Sequence, residues 1–138
     1  MKAKEPALAY KAKKKTYTYQ DWLELPEDSS GKEIINGELV MSPSPTTLHQ
    51  KIVVQLSFLI RLFLEQAPLG TLFVAPMDVV LDNTHIVQPD LLYISSGRKA
   101  LITEKNIQGA PDLIVEIISP ATAYRDMFDK KELYEKFG

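Results

Sequence analysis

Two spacings of apolar residues organise this chain. Over 46–66, Leu48, Ile52, Val53, Leu56, Leu59, Ile60, Phe63 and Leu64 recur at steps of three and four. That period predicts a long amphipathic helix, ending before Pro68 and Gly70. A second helical stripe, Phe128, Leu133, Tyr134 and Phe137, predicts a helix over 126–137. Shorter apolar runs bounded by turn residues predict strands over 71–75, 79–81, 87–94 and 113–118. Residues 82–85 read as a turn that exposes His85, and 106–110 as a loop. Within 32–41, two apolar runs flank Asn36-Gly37. That dipeptide suits a type I′ turn, whose two central residues need positive φ, so a β-hairpin is predicted. Thr18-x-x-Asp21 has the form that opens a helix, and Trp22, Leu23 and Leu25 follow it before Pro26. Ser42-Pro43-Ser44-Pro45 is an extended connector. Helix, hairpin, helix, strands, helix is the order of one α/β (α+β) domain with a mixed sheet flanked by helices.

Composition narrows this picture. At 138 residues, 45 % hydrophobic and 25 % charged, the chain is long and apolar enough for one folded domain and is not compositionally disordered. Its net charge of −2 gives no global attraction to phosphates, so nucleic-acid binding would need a local basic surface. No cysteine is present, which excludes thiolate metal sites, cysteine nucleophiles and disulfides. No apolar stretch follows the first lysines, and the greasy region 52–64 is interrupted by Gln55, Ser57 and Arg61. The reading is a soluble, cytoplasmic protein with no membrane partner. Residues 1–16, with Lys13-Lys14-Lys15, read as a flexible basic arm, and 17–138 as the domain.

Two acids then stand out. Glu116 lies among Leu113, Ile114, Val115, Ile117 and Ile118, a pattern that reads as a strand buried on both faces. An ionised carboxylate there costs several kcal/mol unless a cation, a donor or a metal compensates it. The alternative is that Glu116 faces water. Asp90 follows Pro89 at the head of an apolar run, and Asp112 follows Pro111 in the same way, although Pro-Asp is also ordinary turn chemistry. Asp112 falls roughly 13 Å from Glu116 along an extended strand. Asp90 and Glu116 converging from adjacent strands would suit a hard divalent cation such as Mg²⁺. Lys130, on the following helix, is the candidate cation to complete such a site.

These residues resemble a known family. Val87-Gln88-Pro89-Asp90, the run from Ala110-Pro111-Asp112 through Glu116 to Ser119-Pro120, and Asp126-x-x-x-Lys130-x-x-x-Tyr134 are similar to the Uma-two family. So are Tyr19-x-Asp21, the hairpin from Glu33 to Glu38, the Ser-Pro-Ser-Pro connector and His49. The resemblance implies a restriction-endonuclease-like, PD-(D/E)XK fold that hydrolyses DNA with Mg²⁺, or Mn²⁺ as a substitute, on Asp90 and Glu116. The position of the usual lysine holds Ile118, so the resemblance points to Lys130 instead. Glu33 and His49 are secondary candidates. Glu33 would add a carboxylate to the metal, or else sit as a polar edge-strand residue. His49 would orient a water or phosphate, or else be a hydrogen-bonded histidine at the core boundary; Tyr134 is assigned to packing. The resemblance also implies C-terminal strands beyond Gly138, and a sheet lacking them has an open edge that favours a homo-oligomer. The competing reading is a catalytically inactive nuclease-fold module for nucleic-acid binding or oligomerisation.

Overall fold

The computed structural model describes residues 14–28 and 31–138. Most of the expected arm over 1–16 lies outside them. Within them Lys14 pairs with Glu38 at 2.6 Å and Lys15 with Asp21 at 2.7 Å.

Helix α1 (Tyr19–Leu23) opens on the predicted capping box. Thr18 Oγ1 accepts the Asp21 N–H, and the Asp21 carboxylate accepts the Thr18 N–H. The Lys15 ammonium, with the Thr18 N–H and hydroxyl both donating to the Asp21 carboxylate, holds its pKa down to about 2. Strands β1 (Lys32–Ile35) and β2 (Glu38–Met41) form the hairpin, with Asn36 and Gly37 at φ 52° and 71°. Helix α2 (Thr47–Gln66) follows, then β3 (Gly70–Val74), β4 (Val79–Asp82), β5 (His85–Val87) and β6 (Leu91–Ser95). A 3-10 segment (Ser96–Leu101) leads to β7 (Ile107–Gln108) and β8 (Leu113–Val115). A π-helical segment (Arg125–Lys130) then runs into α3 (Lys131–Phe137).

The strands build two sheets rather than one: β2-β1-β5-β4-β7, mixed because β4 and β7 are parallel, and an antiparallel β3-β6-β8. Period-2 alternation divides the larger sheet's residues between two cores. Ile35, Val79 and Val87 face one core with Leu92, Ile94 and Leu133, while Ile34, Val80 and Ile86 pack with Trp22 in the other.

Four expectations need correction. The single strand over 87–94 is two strands, because Pro89 has no N–H to donate and the chain changes sheets at Gln88-Pro89-Asp90. Part of the loop over 106–110 is β7. The strand over 113–118 ends at Val115 and is not buried on both faces. It lies at the edge of its sheet, with Leu113 47 % and Ile118 52 % exposed. His85 is buried, not exposed. Its Nδ1 lies 2.7 Å from Asp82 Oδ1, its Nε2 lies 3.0 Å from Asn36 Oδ1, and its ring meets Phe137 edge-on at 5.6 Å.

The helices also differ from their patterns. Phe128 is exposed, so the last stripe reduces to Leu133, Tyr134 and Phe137. On α2 only Leu64 is buried, while Leu48, Leu59 and Phe63 are exposed. At twenty residues α2 is long and apolar enough, by length and composition alone, to cross a bilayer. The shorter run over 52–64 understated it. The core helix of a soluble protein meets the same measure but is mostly buried, whereas 6 % of this one is.

Candidate active site

The β6–β8 register sets the site. Leu91 pairs with Val115, so the next step of the antiparallel ladder places Asp90 opposite Glu116, just beyond the strand ends. Directly opposed residues project to the same face. Asp90 Oδ2 accepts the Ile117 N–H at 2.7 Å and lies 3.1 Å from His49 Nε2. Glu116 Oε1 accepts the Tyr134 hydroxyl at 2.6 Å and contacts the Lys130 ammonium. Lys130 also donates to Glu33 Oε1 at 2.9 Å, and that oxygen accepts the Gln88 N–H at 2.8 Å. The Gln88 side chain donates to Asp78 Oδ1 at 2.7 Å and accepts the Gly31 N–H at 3.0 Å.

Three elements supply these groups for local reasons. His49 sits on the inner stripe of α2, one turn before Val53, and Thr46 caps that helix through the His49 N–H. Pro89 ends β5 and delivers Asp90 to the head of β6. The π-helical turn, wider than an α-turn, carries Lys130 into the interior, where it is 3 % exposed. Tyr134 lies four residues later, on the same helical face.

Glu33, His49, Asp90, Glu116 and Lys130 all line one cleft of about 470 Å³. Its walls are the Ser42–Pro45 connector, the first turns of α2 and residues 119–122. Arg125, three residues beyond the last of these walls, donates to Ser42 Oγ at 2.8 Å.

Burial raises Glu116 to about 7, outweighing the opposite pull of Lys130 and Tyr134. Burial works to lower Lys130, but Glu116 and Glu33 outweigh it and hold the ammonium charged. Burial and the neighbouring Glu116 push Tyr134 far above its usual range, so it stays a donor. With both acids ionised, Glu33, Lys130 and Glu116 carry one uncompensated negative charge in a poorly hydrated place. Asp90 and Glu116 each have one oxygen engaged twice and the other without a protein partner among the described residues.

The pattern of the Uma2 family, described as "Putative restriction endonuclease", matches residues 18–138, nearly the whole chain. The chain belongs to the Uma2 family. A search of curated proteins returns no match. Among solved structures, the chain is similar to one from Anabaena variabilis ATCC 29413 titled "putative nuclease belonging to DUF820". The TM-score is 0.72 at 22 % identity, over 88 % of this chain and 69 % of that one. At that identity the likeness is one of fold, and it bears out the restriction-endonuclease-like architecture.

Of the residues singled out from the Uma2 pattern and the apolar context, five converge. Glu33 is not an edge residue: β1 lies inside its sheet, and the side chain is buried on Lys130. Asp112 lies outside the cleft, exposed and bound to the Ser95 N–H and Arg98. Two contributors escape the sequence reading, the Tyr134 hydroxyl and the Gln88 N–H. The four-residue step from Lys130 to Tyr134 is the signal that marks the first; no signal marks the second.

The donor chemistry fits a hard cation. Asp90 and Glu116 offer oxygen only, each with one free, and the surplus negative charge favours a cation. Among the described residues no group of three or more acids and histidines is arranged to hold a metal. That argues against a closed cage, but Mg²⁺ keeps several waters and is commonly held by one or two carboxylates.

Proposed function

We propose that this Uma2 protein hydrolyses DNA phosphodiester bonds with a divalent cation, Mg²⁺ or Mn²⁺, held by Asp90 and Glu116. The observation that carries the reading is the pair itself. Two acids stand side by side at adjacent strand ends, each fixed through one oxygen and free at the other, in a cleft shared with a buried lysine. Such a cation polarises the phosphodiester and makes water a competent nucleophile near neutral pH.

The chain's own residues do the rest. His49 and the Ile117 N–H orient Asp90. Glu33 holds the Lys130 ammonium beside Glu116, where it opposes negative charge that builds on a phosphate in the cleft.

The test is nicking of plasmid DNA with Mg²⁺ or Mn²⁺, with and without chelator, by wild type, Asp90→Asn and Glu116→Gln. The expected result is a chelator-sensitive activity that falls at least about 100-fold in each variant. Undiminished cleavage by both variants sinks the assignment. One observation favours a catalytically silent module: two of the three Lys130 N–H donors are already taken by Glu33 and Glu116. Wild type that binds DNA yet never cuts it, with any divalent ion, would establish that second reading.

A further inference from the structure

Glu116 lies between two hollows. On one side is the cleft. On the other is a groove beyond β8, walled by Ile114, Ile118, Met127 and Phe128. Tyr134 lines the groove and not the cleft, so its ring stands behind Glu116 as seen from the candidate site. Its hydroxyl donates to Glu116 Oε1 at 2.6 Å, within the range of a hydrogen bond from a hydroxyl to a carboxylate. The ring packs against the core that contains Leu133, and that packing fixes where the hydroxyl points.

The last torsion of a glutamate is soft. Lys130 alone, a point charge on a flexible stem, could accept either oxygen as the carboxylate turned. A second donor, fixed in place on the same oxygen, removes that freedom. Asp90 is treated alike: two donors hold its Oδ2, one of them the backbone Ile117 N–H.

We infer that Tyr134 is a positioning residue, which pins Glu116 Oε1 from behind so that Oε2 is presented to a cation in the cleft. The inference rests on the metal reading of the site proposed above. It assigns Tyr134 no contact with substrate.

The experiment is calorimetric titration of the full chain with Mn²⁺ alone. Wild type, Glu116→Gln, Tyr134→Phe and Phe137→Leu are compared at a temperature where circular dichroism shows all four folded. Phe137 packs on the same core but does not touch Glu116, so its variant reports general loosening of α3. Tyr134→Phe keeps the ring and removes only the donor. Expected are a roughly 10- to 100-fold weaker Mn²⁺ affinity in Tyr134→Phe and an unchanged affinity in Phe137→Leu. In the nicking assay, Tyr134→Phe lowers kcat and leaves KM for DNA unchanged. Wild-type affinity in Tyr134→Phe, or an equal loss in Phe137→Leu, overturns the inference while Glu116→Gln still weakens binding. No Mn²⁺ binding by wild type, or binding indifferent to Glu116→Gln, removes the metal reading and this inference with it.

Discussion

Strands β1 and β5 carry a polar network at each end. At the hairpin end, His85 joins Asp82 and Asn36 beneath the edge of Phe137. At the cleft end, three residues further along each strand, Glu33 and the Gln88 N–H meet Lys130, Glu116 and Tyr134. At the hairpin end only His85 is buried while Asn36 and Asp82 reach solvent, and at the cleft end both Glu33 and Lys130 are buried. The two ends also differ in what is left over. No buried side-chain polar atom of the hairpin network lacks a partner, whereas His49 Nδ1 in the cleft is buried with none among the described residues. Asp90 and Glu116 each keep an oxygen free as well. An unmet buried group costs about 1–3 kcal/mol, so leftovers are tolerated where something outside the chain completes them. On the function proposed above, the hairpin end holds the fold and the cleft end is left open to receive a ligand.

Acidity gives the largest expected contrast between them. Glu116 has its pKa raised from 4.5 to about 7, chiefly by burial. The folded chain therefore holds a proton between those values that the unfolded chain has released. Stability from this group is fully present below about pH 4.5 and is lost as pH rises to about 7. At about 1.4 kcal/mol per pH unit for one proton, the loss is at most on the order of 3 kcal/mol. At the hairpin end the sign is opposite. Burial works to raise Asp82, but the Thr84 N–H and His85 outweigh it and lower the pKa, so its contribution is lost only in acid below the window of Glu116. Urea denaturation from pH 4.5 to 8 should show wild type losing stability and Glu116→Gln nearly flat. A variant as steep as wild type would place the proton elsewhere.

Next in size is the removal of His85. His85→Ala takes a partner from Asp82 and Asn36, which both reach solvent, and opens space beside Phe137, and the expected loss, chiefly of packing, is about 2 kcal/mol. Calorimetry at a temperature where the variant is folded should find Mn²⁺ affinity within about twofold of wild type, because the hairpin network makes no contact with Asp90 or Glu116. An affinity that falls with stability would mean the two ends are one coupled unit, and the contrast would fail.

How far sequence alone reaches depends on the distance between partners. The Asn36-Gly37 turn and the Thr18–Asp21 cap are local chemistry, and both are legible. Glu116 is legible as an acid in apolar company, yet the reason is not the one its pattern suggests. Edge strand β8 leaves Leu113 and Ile118 exposed, and Glu116 is buried by Lys130 and Tyr134 from a helix later in the chain. His85 is misread as exposed because Asn36, 49 residues away, completes its bonds. Tyr134 in an apolar stripe looks like packing, since a tyrosine that packs and one that donates leave the same periodic signature. Lys130 is singled out by its place on the helix after the Glu116 strand and by family resemblance; periodicity alone makes it a surface lysine.

The smallest predicted effect separates two look-alike motifs. Pro89-Asp90 and Pro111-Asp112 are identical dipeptides, each at the head of an apolar run. Asp90 faces the cleft with an oxygen to spare. Asp112 accepts the Ser95 N–H at 2.7 Å and pairs with Arg98 at 3.1 Å on the surface. The Ser95 bond, then Arg98, keep its pKa below the ordinary carboxylate value. Nothing about it is left unmet, so it belongs with the hairpin network in kind and with neither network in place. Asp112→Ala should change stability by no more than about 0.5 kcal/mol, the usual scale for an exposed pair, and leave Mn²⁺ affinity and nicking unchanged. A loss of cleavage comparable to that of Asp90→Asn would show that a carboxylate outside the cleft serves the reaction. Spare oxygens would then no longer tell a receiving site from a holding one.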